Sequence, residues 1–426
     1  MKRAYVFQLG DVHFPEHKNL RDIDCKDTAF SSSLETLLSA PRLSSVLRKI
    51  VELQVDFKPY TILMCGDLTS RGLLDDYEVC VKYLTQVLNL ANADKSCVHV
   101  VPGNHDVDRS KCLNSSNISH PAKFKVLQDM WNNAVGELLT VDLVRESDPF
   151  TISQNTKIYS MNSCVGCGEW RSLPEKIQND IGSVLTNYQT NNNSEDIFEL
   201  IGEQLDTPMF SMEDVDSLNQ KISSLNQNVL PIILAHHNIL PQSLTRIDLY
   251  TEMINSGVFR TRLAEHCRPI VYCHGHIHTD PIEILNDPTK FGSQIITISA
   301  PELVNGFNLI EIFYNRDGIA MGLQLHKYRT QSSGSVIKDS TVRIPLSTCN
   351  GRKSPLDQDF TNIMITATDG GIRFKNFLKL FNKDRVSNAN KNTMSSLLLE
   401  AEWRGLVEIV SRDEPPEYWS IRRADL

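Results

Sequence analysis

The chain has 426 residues, of which 41% are hydrophobic, 22% are charged and 7% are aromatic, and its formal net charge is −9. This composition excludes collagen, a continuous coiled coil and disorder throughout, and the acidic balance disfavours a protein that coats nucleic acid. With no apolar run of about 18 residues, no secretory signal before the first strand and ten scattered cysteines, we expect a cytoplasmic protein of two or three domains, with reduced thiols and no membrane partner.

The first part of the chain alternates between predicted strands and predicted helices. Apolar runs at residues 5–9, 60–65 and 98–101 are typical of buried strands, and each ends at or near a glycine. Apolar residues at helical spacing predict one helix around residues 34–53 and another over 74–90. Strands that alternate with helices indicate a layered α/β domain.

The pattern changes in the second half of the chain. Residues 157–161 and 229–235 are further predicted strands, and a polar loop at 186–196 lies between them. From about residue 294 alternating strands dominate. Runs at 307–314 and 319–328 flank a turn that contains Asp-Gly, which predicts a β-hairpin.

The C-terminal part has the pattern of a small separate unit. Helices are predicted at residues 372–381 and 394–403, and paired strands follow at 406–410 and 418–421. The order helix, helix, hairpin is typical of a winged helix. We therefore predict a winged-helix-like domain over residues 354–426.

The remaining boundaries follow from these patterns. The large α/β domain is predicted to occupy residues 1–330, and residues 331–353 are predicted to be a linker. The stretch of about 107–228 is longer than an α/β core needs. We expect it to contain a cap insert that shapes specificity, with Trp131 and Trp170 as residues that cover the site.

Five short motifs carry the residues suited to metal or acid–base chemistry. In chain order they are Asp11-Val12-His13, Gly66-Asp67, Gly103-Asn104-His105-Asp106, His236-His237 and Gly275-His276-Ile277-His278. Each motif follows an apolar run, and the carboxyl ends of strands in open α/β sheets form the ligand crevice. We therefore expect these residues to converge in space although they are far apart in sequence.

The residue types in the motifs suit one chemical task. Carboxylate, amide and imidazole groups together can hold two metal ions about 3.5–4 Å apart. The i, i+2 spacing of Asp11 with His13, and of His276 with His278, directs both side chains of a pair to the same side of an extended segment. Such a pair of ions activates a water molecule and stabilises the oxygens of a phosphate ester.

These motifs, in this order, resemble those of the calcineurin-like metallophosphoesterase superfamily. That family has the pattern D-x-H, G-D, G-N-H-D/E, a lone H and G-H-x-H, and all five blocks are present within residues 5–330. The resemblance implies a four-layer α/β/β/α sandwich. With the insert and the tail, the expected architecture is this sandwich, an inserted cap region and a small C-terminal winged-helix-like domain.

The resemblance also implies a role for each matching residue. Asp11, His13 and His278 would bind a first metal, Asn104, His236 and His276 would bind a second, and Asp67 would bridge the two. His105 would contact the phosphate and protonate the leaving oxygen, and Asp106 would orient His105. Mn²⁺ is the expected metal, with Fe, Zn, Ni or Co as alternatives, because mixed oxygen and imidazole sites accept several metals.

Three further residues are candidates for contact with the substrate. His237 adjoins the ligand preferred at His236, and Asn162 follows the strand at 157–161. Arg71 could meet a phosphate, although it could equally pair with an acid of the next helix. Ser70 replaces the second Asp of the common G-D-x-x-D form, so the chain looks more like the phosphodiesterase and nuclease branches than the protein phosphatases.

The function that this implies is hydrolysis of phosphodiester bonds in a nucleotide or nucleic acid. One alternative is a nuclease of the branch that acts on DNA or RNA ends. Another is a phosphoesterase subunit that docks to a protein partner, or dimerises, through its C-terminal domain. The basic residues between 373 and 391 could contact nucleic acid or form a solvated helix face.

Cys164 and Cys167 form a lone C-x-x-C sequence. Without a second pair, this spacing is weak evidence for zinc or redox chemistry. We interpret the two residues as a turn with two free thiols.

Overall fold

The structure is a computed structural model of the chain, and part of the chain is described. The described residues are 2–14, 41–70, 72–88, 97–112, 121–136, 144–149, 155–169, 175–176, 179–180, 183, 206–241, 252–279, 281–315, 318–347, 363, 367, 371–382 and 390–424. Arg71 and Trp170 lie outside them, as does much of the predicted cap.

Strands and helices alternate in the described part much as the sequence predicts. The strands are β1 (Lys2–Leu9), β2 (Tyr60–Met64), β3 (Val98–Val100), β4 (Arg145–Ser147), β5 (Thr156–Ser160), β6 (Leu230–Leu234), β7 (Pro269–His274), β8 (Ile282–Asn286), β9 (Gln294–Ser299), β10 (Gly306–Tyr314), β11 (Ala320–Thr330), β12 (Val336–Pro345), β13 (Ile372–Arg373), β14 (Val407–Val410) and β15 (Ser420–Arg423). The helices are α1 (Pro41–Asp56), α2 (Leu74–Val87), α3 (Arg109–Cys112), α4 (Lys125–Val135), α5 (Met212–Ser224), α6 (Ser256–Ala264), α7 (Phe374–Asn382) and α8 (Lys391–Trp403). Single 3₁₀ turns lie at Asn104–Asp106, Pro121–Phe124, Leu303–Asn305 and Pro416–Tyr418.

Two six-stranded sheets form the body of the molecule. The first has the order β12-β11-β10-β1-β2-β3, and the second has the order β4-β5-β6-β7-β9-β8. Strands β1, β2 and β3 are mutually parallel, as are β5, β6, β7 and β9. The carboxyl ends of the parallel strands therefore lie at one edge of each sheet.

Alternation along the strands explains why the sheets stack. In β1, Ala4 and Val6 point into a core between the two sheets, whereas Tyr5 and Phe7 point into a core under α1, α2 and α4. A third core covers the other face of the second sheet and contains residues of α5 and α6. The result is the α/β/β/α sandwich that the motifs implied.

Buried polar side chains join the two sheets near the ends of their strands. Gln8 Nε2 on β1 donates to the carbonyl oxygens of His274 and Ile298 in the second sheet, at 3.2 and 2.7 Å. Asn308 Nδ2 donates to Gln8 Oε1 at 3.1 Å and to the Ser299 carbonyl at 2.9 Å. These bonds fix one sheet against the other next to the motif-bearing edge, because leaving any of these buried groups unpaired would cost about 1–3 kcal/mol.

Two predicted boundaries need correction. Residues 336–345 of the predicted linker form strand β12, which pairs with β11 along its length, so the first sheet extends to Pro345. In the predicted cap, residues 125–135 form α4 of the outer helical layer, and Trp131 is fully buried in the core there instead of covering a site. Pairing with the free edge of β11 decided the first outcome, since β12 itself is largely exposed. Burial of apolar side chains in the outer core decided the second.

The C-terminal unit has its own three-stranded sheet and core. The sheet has the order β13-β15-β14, and α7 and α8 pack on it around Phe377, Leu398 and Ile421. Trp403 at the end of α8 also packs against Phe313 of the first large sheet. The unit is therefore attached to the two-sheet body through α8. No helix in the described residues is both long and apolar enough to cross a membrane.

Candidate metal centre

The structure gathers the five sequence motifs at the facing edges of the two sheets. Asp11 follows β1, Asp67 follows β2, and Asn104 follows β3 in the first sheet. His236 follows β6 and His276 follows β7 in the second sheet. Because these strands are parallel and the sheets stack, their carboxyl ends meet, as the sequence predicts.

The backbone at the motifs adopts an unusual conformation. The φ angles of Asp11, His13, Asp67, His276 and His278 are 32°, 47°, 52°, 67° and 54°, all in the left-handed region. Non-glycine residues adopt that region rarely, at a cost of order 1–3 kcal/mol each. Strain of this kind concentrates at functional sites, and here it turns the side chains at the strand ends toward one another.

Two glycines of the motifs provide space for carboxylates from other motifs. A Cβ atom on Gly103 would lie 2.0 Å from Asp67 Oδ1, and one on Gly275 would lie 2.7 Å from Asp11 Oδ2. Any side chain at these positions would displace the carboxylate. The close approach of the Asp67 and Asp11 carboxylates therefore explains why glycine occupies positions 103 and 275.

One group of ligand atoms comes from Asp11, His13 and His278. Their ligand atoms lie within 4.8 Å of one another. His13 Nε2 and His278 Nε2 face each other at 2.9 Å, and Asp11 Oδ1 is 3.9 Å from His278 Nε2. The backbone N–H of His276 donates to both oxygens of Asp11, at 2.9 and 3.2 Å. This group corresponds to the predicted first metal site.

A second group surrounds His236. Its Nε2 lies 2.9 Å from Asn104 Oδ1 and 3.2 Å from Asp67 Oδ2, and its Nδ1 hydrogen-bonds to the Cys65 carbonyl at 2.7 Å. The bond to the carbonyl requires a proton on Nδ1, so Nε2 is the nitrogen available to a metal. The ring centroid of His276 lies 5.2 Å from that of His236. These residues correspond to the predicted second site.

The Asp67 carboxylate lies between the two groups. Oδ2 is 3.2 Å from His236 Nε2 and 3.8 Å from His13 Nε2. Oδ1 accepts a hydrogen bond from the His105 backbone N–H at 2.9 Å, which fixes the plane of the carboxylate. One oxygen is thereby aimed at both groups, as a bridging ligand requires.

The electrostatics of these groups fit a bound cation. Burial raises the pKa of Asp11 to about 8 and lowers that of His13 to about 4. Burial would also raise the pKa of Asp67, but the imidazoles of His236 and His105 hold it well below its usual range. Without metal, the chain must either bury charged carboxylates or protonate one of them, and both cost free energy. Divalent cations would remove this cost by binding to the same oxygen and nitrogen atoms.

His105 is oriented differently from the prediction. Its Nδ1 bonds to the Ser70 carbonyl at 2.9 Å, so the backbone, not Asp106, holds the ring. The Asp106 carboxylate accepts bonds from the backbone N–H groups of Leu68, Thr69 and Gly103, at 3.2, 3.1 and 3.0 Å. Asp106 therefore ties the two motif loops together. It acts on His105 only through them, because its carboxylate already accepts bonds from these backbone donors and from the Tyr77 hydroxyl at 3.0 Å.

Sequence analysis missed Asp206, which supports the second group. Asn104 Nδ2 donates to Asp206 Oδ2 at 2.9 Å, which leaves Asn104 Oδ1 directed at His236. Arg109 holds the same carboxylate with two bonds, at 2.9 and 3.0 Å. Asp206 belongs to no motif and lies 102 residues from Asn104, so no local pattern marked it.

The candidates for substrate contact have different surroundings. His237 is fully buried, and its Nδ1 bonds to Ser163 Oγ at 3.0 Å. Asn162 is buried as well, and its Oδ1 accepts a bond from the Cys164 backbone N–H at 2.9 Å. Neither environment is an open pocket wall. The Arg71 prediction lies outside the described residues.

Comparison with known proteins adds the following. The model of a family described as calcineurin-like phosphoesterase matches residues 4–280. This chain is similar to the crystal structure of a dimetal phosphatase from Danio rerio, with 13% identity and a TM-score of 0.46, covering 80% of this chain and 99% of that one. No protein with a curated function matches the sequence significantly.

Two further solved structures are similar over a smaller share of their own length. A putative 5'-nucleotidase from Staphylococcus aureus has 11% identity and a TM-score of 0.38, covering 95% of this chain and 59% of that one. The purple acid phosphatase PPD1 from yellow lupin has 10% identity and a TM-score of 0.42, covering 81% of this chain and 54% of that one. At these levels the similarity concerns the fold alone.

Proposed function

The chain belongs to the calcineurin-like phosphoesterase family, and we propose that it uses two divalent cations to hydrolyse phosphodiester bonds of a nucleotide or nucleic acid. It is a hydrolase of phosphoric esters by that membership. The proposed ligands of the first cation are Asp11, His13 and His278, those of the second are Asn104, His236 and His276, and Asp67 is shared.

One observation carries this proposal. Asp67 Oδ2 lies between His236 Nε2 and His13 Nε2, at 3.2 and 3.8 Å, with the other ligand atoms gathered on either side. A carboxylate oxygen between two imidazole groups suits a bridge between two metals. When bound, the cations would supply Lewis acidity that activates water and offsets the charge on the phosphate.

His105 is the proposed general acid. Its Nδ1 proton is held by the Ser70 carbonyl, so donation to a leaving oxygen must come from Nε2 of the doubly protonated ring. In the metal-free chain burial opposes that charge, but the Asp67 carboxylate and the Ser70 carbonyl outweigh it and raise the pKa of His105. The ring centroid lies 5.0 Å from that of His13, next to the first group.

The charges around the cluster favour a diester over a monoester. A phosphate diester carries one negative charge, whereas a monoester carries close to two at neutral pH and is commonly held by Arg or Lys. Among the described residues, Arg109 contacts the motifs, but its guanidinium is already paired with Asp206. Within the part of the chain that the structure describes, the cationic side chains beside the motifs therefore support the substrate of lower charge.

A substrate panel tests the proposal. We expect the purified protein with Mn²⁺ to hydrolyse bis-p-nitrophenyl phosphate faster than p-nitrophenyl phosphate. A cyclic nucleotide, a linear dinucleotide and single-stranded DNA complete the panel and separate nucleotide hydrolysis from nuclease activity. A clear preference for the monoester, or no turnover with any of these metals (Mn²⁺, Fe²⁺, Zn²⁺, Ni²⁺ or Co²⁺), would overturn the proposal.

Two variants separate metal binding from proton transfer. We expect Asp67→Asn to lose both bound metal and turnover, because a neutral amide cannot bridge two cations. His105→Ala should keep its metal content and lose about 10²–10⁴-fold in turnover, the usual contribution of a general acid. Unchanged turnover in His105→Ala would remove His105 from the mechanism.

A further inference from the structure

A second cluster of metal-ligating side chains lies behind the proposed dinuclear site. Cys164 and Cys167 occupy a tight turn in which the Cys167 backbone N–H donates to the Cys164 carbonyl at 3.1 Å. Cys164, Cys167 and His237 each offer a ligand atom, all within 4.8 Å of one another. All three side chains are fully buried.

The spacing of these atoms suits a tetrahedral ion. With Zn–S of about 2.3 Å and Zn–N of about 2.0 Å, two ligand atoms of a tetrahedron lie about 3.5 Å apart. Cys164 Sγ is 3.8 Å from His237 Nδ1 and 3.3 Å from the Pro102 carbonyl oxygen. The Cys164 sulfur therefore lies at near-ligand separations from an imidazole nitrogen and from a carbonyl oxygen.

The hydrogen bonds around His237 indicate which nitrogen could bind an ion. Ser163 Oγ accepts from the backbone N–H groups of His236 and His237, at 3.2 and 3.1 Å. Its own proton is then directed at His237 Nδ1, 3.0 Å away. In this tautomer Nδ1 is unprotonated, and its lone pair accepts the serine proton. An ion bound to Nδ1 would take over that lone pair and displace the serine hydrogen bond.

A buried ion pair lies next to the turn. The Lys123 ammonium donates to the carbonyl oxygens of Val165 and Cys167, at 2.6 and 3.0 Å, and lies 3.5 Å from the buried Glu169 carboxylate. Burial without a metal raises the pKa of the Cys164 thiol well above its usual range. A bound metal ion would supply the positive charge that stabilises a thiolate there.

We propose that Cys164, Cys167 and His237 form a third metal site that binds one thiophilic divalent cation such as Zn²⁺. The site adjoins the proposed dinuclear centre, since His237 also lies within ligand distance of His236 and His276. Thiolate ligands select Zn²⁺ over Mn²⁺, while the oxygen and imidazole ligands of the dinuclear centre do not. The two sites can therefore hold different metals in one molecule.

The ion would have a positioning role. His236 and His237 are adjacent, and both backbone N–H groups bond to Ser163, which precedes Cys164. A cation that joins the turn to His237 therefore fixes the end of β6, from which His236 reaches the dinuclear centre. The C-x-x-C turn and His237 would then share one structural role, which is to hold the end of β6 in place.

Cobalt substitution tests the site in the unmodified chain. Protein loaded with Co²⁺ should show thiolate-to-cobalt charge-transfer absorption in the near ultraviolet, because only this site offers sulfur ligands close to an imidazole among the described clusters. The dinuclear centre has no sulfur ligand and cannot produce this band. Elemental analysis of protein grown with zinc and manganese should give one equivalent of zinc that resists exchange by Mn²⁺.

Variants assign the band to these residues. Cys164→Ser with Cys167→Ser should abolish the band and the zinc equivalent. Cys267→Ser, at a half-buried cysteine after α6, should retain both. Asp67→Asn should also retain the band, so loss of the dinuclear centre and loss of the third site are distinguishable. Absence of the band in the unmodified protein, or its persistence in the double variant, overturns the proposal, as would a disulfide between the two cysteines in the freshly purified protein.

Discussion

At the scale of single residues, the site depends on contacts made outside the five motifs. The Asp206 carboxylate accepts a hydrogen bond from the Asn104 side-chain amide at 2.9 Å and two from the Arg109 guanidinium, at 2.9 and 3.0 Å. An amide can bind a metal only through its oxygen, so a partner that accepts from its nitrogen selects the productive orientation. Asp206 is thus a positioning residue for the second metal group.

Replacing Asp206 by Asn should weaken metal binding. The neutral amide can turn its own N–H toward Asn104 and loses the charge that holds Arg109, so we expect the affinity for the second metal to fall about 10–100-fold. Calorimetric titration with Mn²⁺ measures this directly. Asp129→Asn, at an exposed surface ion pair, is the matched control and should bind normally. Equal affinities in the two variants would contradict the positioning role.

The clearance at Gly103 gives a second prediction at this scale. In Gly103→Ala the new Cβ would meet Asp67 Oδ1 at 2.0 Å, so the carboxylate must move away from the metal position. We expect bound metal and turnover to fall together, with a loss of stability of about 1–3 kcal/mol from the overlap. Urea unfolding and metal analysis provide the two measurements.

Gly257→Ala is the control for that variant. No atom lies within 4 Å of a Cβ built on Gly257, which is in α6. Alanine there should leave metal binding intact and be neutral or stabilising by up to about 1 kcal/mol. If Gly103→Ala behaved like Gly257→Ala, close approach would not explain the motif glycine.

At the scale of elements, α8 is the helix that attaches the C-terminal unit. Trp403 packs on Phe313, with ring centroids 5.1 Å apart, and the Arg412 guanidinium lies over both rings at 5.4 and 5.2 Å. Arg412 also pairs with Glu402 at 2.9 Å. Seven of the thirteen residues of α8 are buried. Nucleic-acid binding by the basic residues between 373 and 391 stays a prediction.

The contact between α8 and β11 can be tested by steric blocking. A Cβ on Gly322 of β11 would lie 2.3 Å from the Trp403 ring. Gly322→Ala should therefore weaken the attachment of the C-terminal unit by about 1–3 kcal/mol. Limited proteolysis should then cleave the tail faster, while hydrolysis by the distant metal centre is unchanged.

A double-mutant cycle checks the cause of that effect. Trp403→Ala alone should cost about 3–5 kcal/mol, as usual for a buried tryptophan. On that background Gly322→Ala should add almost nothing, because the ring it overlaps is gone. Additive effects of the two substitutions would show that Gly322 acts by another route.

At the scale of the whole molecule, metal binding and folding are coupled. Five of the proposed ligands have left-handed backbones, and the cluster buries two carboxylates among imidazoles from both sheets. Without metal, the strained backbones and the buried carboxylates lower the stability of the folded state. Cations that bind only the folded state would offset this loss. Bound cations would therefore stabilise the seam between the two sheets.

Metal removal should lower the melting temperature. At a free Mn²⁺ concentration 100 times the dissociation constant, the folded state gains about 2.7 kcal/mol per site. Differential scanning calorimetry with a chelator, and then with excess Mn²⁺, measures the shift. Asp67→Asn should show a much smaller one. An identical transition under both conditions in the unmodified protein would mean that the cluster binds no Mn²⁺.

The sequence by itself determined the motif residues and the strands that precede them, and the family resemblance of the motifs implied the layered sandwich. Alternation in β1 and glycines at strand ends are local signals, since side-chain direction and backbone freedom depend on a few neighbouring residues. The tertiary structure alone decided that Ser70 holds His105, that Asp206 holds Asn104, that β12 belongs to the first sheet and that Trp403 of α8 packs on Phe313. Each of these outcomes depends on a contact between segments distant in sequence, such as the 102 residues between Asn104 and Asp206. Hydrogen bonding and packing across such distances leave no periodic trace in the chain, because only the completed fold brings the partners together.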